Sequence, residues 1–180
     1  GGTDIVNDGN LTINQHGSGN ISLIYGKGGA FTLLFGIGTF PINVWNHVFV
    51  TYDGGTTGSV LSESSNYQSR FTVSVNGVDA INAAQTLGGG YSGGIKPEQF
   101  KIGKYSNGTP QYFDGKINQL AIWDSNEIAN LSAIYNSRTT HDLRLLASPP
   151  AHYYEIKNSV TSIPDLVGNA NLTGYNFVAA

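Results

Sequence analysis

The run Trp45-Asn46-His47-Val48-Phe49-Val50-Thr51-Tyr52-Asp53-Gly54 decides the class of this chain, because β-branched and aromatic residues lead without interruption into an Asp-Gly turn. Alternation places Val44, Val48, Val50 and Tyr52 on one face and Trp45, His47, Phe49 and Thr51 on the other. Both faces are partly apolar, so the segment reads as a strand in the body of a sheet, with Trp45 and Trp123 as core residues. Next, Phe71, Val73 and Val75 alternate with Thr72 and Ser74, and Asn76-Gly77 supplies a two-residue hairpin turn after which residues 78–83 return antiparallel.

Working outward, Leu11-Thr12-Ile13-Asn14, Asn20-Ile21-Ser22-Leu23-Ile24-Tyr25 and Phe31-Thr32-Leu33-Leu34-Phe35 are separated by Gly-rich stretches and read as successive hairpins. Phe100-Lys101-Ile102-Gly103-Lys104 and residues 116–123 are further strands, while residues 54–69 and 87–94 are loops. A short helix follows near residues 126–136, with Ser125 as its cap, Glu127 in its first turn, and Ile128, Leu131, Ile134 and Tyr135 at helical spacing. Pro149-Pro150 marks a break before an aromatic C-terminal stretch, which begins another module, supplies a strand to a neighbour or closes the sandwich.

Composition removes several function classes. The 24 Gly beside 10 Tyr and 8 Phe suit short aromatic strands joined by tight turns, not helices. With 12% charged residues and a net charge of -3, the chain has no basic surface to neutralise phosphates, which excludes nucleic acid as a partner. Gly26-Lys27-Gly28-Gly29 lacks the spacing of a phosphate loop. There is no cysteine for disulfide or thiolate chemistry, and no apolar run approaches the roughly 20 residues that span a bilayer, so membrane insertion is not expected. The absence of Met and of a basic, apolar leader leads to the expectation of a processed product, an excised domain or part of a longer protein.

The order of Trp45 to Gly54, Val73-Ser74-Val75-Asn76-Gly77, Phe100-Lys101-Ile102-Gly103 and Phe113-Asp114-Gly115-Lys116-Ile117-Asn118-Gln119-Leu120-Ala121-Ile122-Trp123 resembles the laminin-G-like and pentraxin-like group of the concanavalin A-like jelly rolls. The resemblance covers roughly residues 20–138. It implies an all-β, two-sheet antiparallel jelly-roll sandwich over residues 1–138, closed by the short helix, with residues 139–180 as linker and tail for closure or assembly. Such domains usually carry one or two strands before the stretch matched by residues 10–35, so the expectation is either that their counterparts arrive from elsewhere or that the visible chain is truncated. They often carry an Asp-Glu pair where this chain has Asn118-Gln119, which weakens calcium binding by analogy. Group members serve in adhesion, glycan binding, enzyme appendages and virion surfaces. The stretch containing His141-Asp142-Leu143 and Ile163-Pro164-Asp165-Leu166-Val167-Gly168-Asn169 is similar to segments of marine tailed-phage structural proteins.

Candidate chemistry is sparse. Glu63, Glu98, Glu127 and Glu155 form no paired arrangement for glycoside hydrolysis, and His16, His47, His141 and His152 have no zinc-site spacing. No nucleophile elbow signals a serine triad, so the catalytic set is empty and the protein reads as non-enzymatic. Asp53 and Asp114 are the metal candidates; calcium is the ion they would take, and turn capping is the alternative role. Tyr67, Tyr91, Tyr105, Asn107 and Tyr112 are candidate glycan contacts, through stacking and amide hydrogen bonds. Tyr153, Tyr154, Ile156, Leu166, Tyr175 and Phe177 are candidate assembly contacts. The leading expectation is a virion structural or decoration protein at the particle surface, held by contacts with other virion proteins and copies of itself. The alternative is an extracellular or receptor-binding lectin-like module that engages a host-surface glycan.

Overall fold

Short strands separated by tight turns pair first with their sequence neighbours, because closing a short loop costs least entropy. The computed structural model describes residues 11–16, 20–25, 30–36, 43–52, 71–79, 81–82, 85–87, 104–105, 111–112, 115–157 and 162–173. The chain divides into two compact units, Gly1–Asp114 and Gly115–Ala180.

In the first unit, β1 (Leu11–His16), β2 (Asn20–Tyr25) and β3 (Ala30–Gly36) form the expected meander, with Leu11 opposite Tyr25 and Tyr25 opposite Phe31. A second sheet is built from β4 (Val48–Tyr52), β5 (Phe71–Val75) and β6 (Val78–Asp79) in that order. Strand β7 (Ile81–Asn82) then pairs with β3, as does β8 (Gln85–Leu87). The chain therefore passes from one sheet to the other between β6 and β7, and the single return strand expected over 78–83 is divided between them. A short ladder of β9 (Lys104–Tyr105) and β10 (Gln111–Tyr112) completes the described strands of this unit.

The sandwich core is legible in β4 and β5. Phe49, Phe71, Val73 and Val75 are buried, and Tyr52 stands opposite Phe71 with ring centroids 4.8 Å apart, a cross-strand aromatic pair. Ser74 is also fully buried, so β5 is covered on both faces and not on one, and its hydroxyl has no hydrogen-bond partner. Asn76 and Gly77 both take positive φ, 54° and 78°, as a type I′ hairpin requires. Asn76 also ties this turn to the approach of β4: its Oδ1 accepts from the His47 backbone N–H at 3.0 Å and its Nδ2 donates to Asn46 Oδ1 at 2.9 Å.

In the second unit, β11 (Gln119–Ile122) pairs antiparallel with β12 (His152–Glu155), and hydrogen bonds from Ala151 to Ile122 and from Ile156 to Asn118 extend the ladder at both ends. Residues 139–150 are thus a connection inside this unit. The helical stretch comprises α1 (Leu131–Tyr135) between 3-10 turns Ile128–Asn130 and Asn136–Arg138. Ser125 does not cap it. Its hydroxyl donates to Glu127 Oε1 at 2.6 Å, while Asn126 Oδ1 accepts from the Ile128 N–H. Strands β13 (Ser162–Ile163) and β14 (Leu172–Thr173) form a last small ladder. Ile134, Leu143, Pro150, Tyr153, Tyr154 and Ile163 are the buried apolar set.

Replacing Asn76 separates its two contributions. Asn76→Gly keeps the turn but loses both side-chain bonds, at a cost of about 1–2 kcal/mol; Asn76→Ala adds left-handed strain, for about 2–4 kcal/mol. Ser74→Ala removes a buried, unpartnered hydroxyl and is expected to be neutral or to stabilise by about 1 kcal/mol. Denaturant unfolding of the three variants checks the order.

Candidate functional site

A polar group withdrawn from water must find a partner, so the first question for each titratable side chain is what holds it. Asp165 is the most heavily engaged. Its side chain has 0% exposure, and it follows β13 at the start of a tight turn. Oδ1 accepts from the backbone N–H groups of Tyr153 (3.1 Å), Val167 (3.2 Å) and Gly168 (2.9 Å). Oδ2 accepts from the Ala170 N–H at 3.2 Å and meets His152 Nδ1 at 2.5 Å. Burial pushes the carboxyl up, but the bonds from His152 and from the Tyr153, Gly168 and Val167 amides outweigh it, holding Asp165 well below the usual carboxylate range. The turn is anchored further by Leu166 N–H on the Tyr153 carbonyl and by the Tyr154 hydroxyl on the Ala170 carbonyl. Gly168 must lack a side chain here, since a Cβ would lie 2.6 Å from both Asp165 Oδ2 and His152 Nδ1.

Three other described carboxylates, Glu127, Asp142 and Glu155, are similarly committed, while Asp79 and Asp124 are exposed. Glu127 is buried and accepts from Ser125 Oγ, Asn130 Nδ2 (2.5 Å) and Ser148 Oγ (2.8 Å). Those three bonds, Ser125 first, lower its pKa against the opposing effect of burial. It therefore ties the start of the helical stretch to residue 148 and is not the solvated helix-start charge that its position suggests. Trp123 makes a parallel tie, donating Nε1–H to the Ser148 carbonyl at 3.1 Å. Asp142 caps the 3-10 turn Leu143–Leu145 through the Arg144 N–H and grips the Arg144 guanidinium with both oxygens, which lowers its pKa to about 2. Glu155 pairs with Lys157. Gln119, where related domains often have a carboxylate, uses Nε2 to donate to the His141 carbonyl and to the Tyr153 hydroxyl. The Gln119 Nε2 thus serves as a donor inside the unit. Among the described residues no three His, Cys, Asp or Glu gather to hold a metal ion, and no helix is long and apolar enough to cross a membrane.

The sequence candidates fall unevenly. Tyr67, Tyr91, Asn107, Asp53, Asp114, Tyr175 and Phe177 lie outside the described residues. Tyr105 and Tyr112 fall on adjacent rungs of the β9–β10 ladder, Tyr105 opposite Gln111 and Tyr112 opposite Lys104, and alternation assigns them to opposite faces. Tyr153 and Tyr154 are 0% and 2% exposed, so their assignment to subunit docking is corrected: both rings are core residues of their own unit. Ile156 and Leu166 are half-buried.

Trp45 is also corrected. It is 57% exposed, because the chain does not enter β4 until Val48 and residues 43–47 lie before the ladder. His47, by contrast, is half-buried and stacks on Phe49 with ring centroids 6.4 Å apart; burial lowers its pKa. The Asp165–His152–Gly168 cluster was not singled out as a constellation. A hint was present in the spacing of Asp165, Gly168 and Asn171, whose Oδ1 accepts from the Asp165 N–H.

Residues 2–127 match the family model described as the Concanavalin A-like lectin/glucanases superfamily. The match covers the first unit and extends into the second as far as Glu127. No curated protein and no solved structure matches the chain.

The depressed pKa of Asp165 contributes stability that is fully present above the ordinary carboxylate value, about 4, and is lost as pH falls towards the native value. Acid titration of the second unit is expected to show falling thermal midpoints below about pH 4, and Asp165→Asn is expected to lower the midpoint at neutral pH and flatten that dependence. Gly168→Ala, forced against two pinned side chains, is expected to cost about 1–3 kcal/mol.

Proposed function

Since the chain belongs to the concanavalin A-like lectin/glucanase superfamily, an antiparallel β-sandwich jelly-roll group, we propose that it is a non-catalytic binding module that recognises a glycan. The family match over residues 2–127 carries this reading. What supports the non-catalytic half is the state of four of the six described acids: Glu127, Asp142, Glu155 and Asp165 are each held by hydrogen bonds or ion pairs within the second unit, while Asp79 and Asp124 are exposed. A glycosidase needs two carboxyl groups facing the scissile bond, one to protonate the leaving oxygen and one to activate water or attack carbon. Carboxylates held in this way supply neither role.

Recognition in such a module is by shape, stacking and hydrogen bonding to hydroxyls, in keeping with a chain that carries little charge. The setting favoured by the weakly charged, cysteine-free composition and by the likeness of the C-terminal stretch is the surface of a phage particle. There the module would sit among copies of itself and other virion proteins, and many weak sugar contacts would add through avidity. With Tyr153 and Tyr154 inside their own unit, assembly contacts pass to Ile156, Leu166 and the surface of the sandwich.

The wild-type protein is expected to bind immobilised oligosaccharides in a glycan array, to retain binding in a chelator, and to leave those oligosaccharides intact on prolonged incubation. Release of reducing ends that disappears after one carboxylate is substituted would replace the binding module with a hydrolase. Loss of binding in chelator, restored by calcium, would return the metal to the site.

A further inference from the structure

Tryptophan is large and seldom left open to solvent on a folded domain, and a run of exposed apolar side chains around one marks a contact surface. Residues 43–48 form such a run. Val44 is 53% exposed, Trp45 57% and Val48 39%. On the same sheet the edge strand presents a further exposed apolar side chain, Val78 at 69%, although Val75, which stands between it and Val48 on the ladder, is buried. The segment is nonetheless held in place. Asn76 fixes the positions on either side of the 46–47 peptide through Asn46 Oδ1 and the His47 N–H, and Asn46 Nδ2 donates to the Val44 carbonyl at 3.2 Å. A side-chain amide carries two N–H donors, and the bond to Asn46 uses one of the Asn76 pair.

The chemistry of this surface selects its occupant. Across residues 43–52 and 71–79 the one acidic or basic side chain besides His47 is Asp79, and burial keeps His47 towards its neutral form. Among these described residues an acidic ligand finds no cation, and a basic peptide finds one carboxylate. A protein partner of standard affinity uses roughly 20–30 residues a side, far more than Val44, Trp45, Val48 and Val78 provide. A neutral pyranose has what the surface can use: a C–H face that lies on an indole and a rim of hydroxyls that exchange hydrogen bonds with amides.

We propose that Trp45 is the stacking platform for a neutral sugar ring, flanked by Val44 and with the Asn46–Asn76 amide pair reading its hydroxyls. This rests on the glycan-binding reading above and gives it a location that the candidates Tyr67, Tyr91, Tyr105, Asn107 and Tyr112 do not include.

The test uses the whole chain and an array of neutral and sialylated oligosaccharides, with the best neutral binder then titrated in solution. Trp45→Ala is expected to weaken that binder about tenfold or more, while Trp45→Phe, which keeps an aromatic face, retains most of the affinity. Because the indole is outside the core, Trp45→Ala should leave the thermal midpoint unchanged. In a Trp123→Phe background the single remaining Trp45 should be quenched by acrylamide and protected when the oligosaccharide is added. Full binding by Trp45→Ala would overturn this site and leave the lectin reading standing; absence of binding to every oligosaccharide by the wild type would overturn both. A change of oligomeric state in Trp45→Ala, with no change in sugar affinity, would assign the surface to a second copy and overturn the proposal. Preference for the sialylated probes would do so as well.

Discussion

Every polar group taken out of water has to be paired, and the described parts of this chain meet that constraint by sending short polar side chains from turns back onto neighbouring backbone. Asp165 gathers four backbone amides and the His152 ring, Glu127 gathers two serine hydroxyls and an amide, and Asn76 holds the approach to β4. Each closes a loop that hydrophobic burial alone would leave undirected, because burial is non-directional. Ser74 is an exception among the described residues: its neighbours on β5 are apolar, and burying its hydroxyl exchanges water for nothing.

That constraint shapes the functional reading. A chain with 12% charged residues has few acids, and of those described in the second unit Glu127, Asp142, Glu155 and Asp165 are engaged in holding structure while Asp124 is exposed. The superfamily to which the chain belongs includes both lectins and glucanases. Gln119 follows the same logic of pairing: its amide donates to a carbonyl and a phenol, and so joins β11 to the 139–150 connection.

Much of the fold was legible because local rules and long-range packing agreed. The three N-terminal hairpin strands, the strand from Phe71 and the Asn76-Gly77 turn follow from alternation and from the need for positive φ. The helical stretch was legible from spacing, though its cap was not: Ser125 had a carboxylate two residues away to bond with, which a charged acceptor makes the stronger choice. Alternation misled at Trp45 because it assumes a strand already in its ladder, and the ladder begins only at Val48. The aromatic tail seemed suited to docking because composition reveals that rings need burial without saying against what; Tyr153 and Tyr154 found their cover within the same unit.

By itself, the amino-acid order determined the class of structure: antiparallel strands with type I′ and Gly-rich turns, one short helix, and no charge pattern for phosphate or nucleic acid. These are properties of periodicity, backbone sterics and composition, which act over a few residues. Only the tertiary structure decided which strand Tyr153 and Tyr154 would pair with, that β6 and β7 would join different sheets, that Asp165 would sit in a closed ring of donors, and that Trp45 would face solvent. Those outcomes depend on partners distant in the chain, and a side chain's exposure or pairing is a property of what packs against it, not of its own identity.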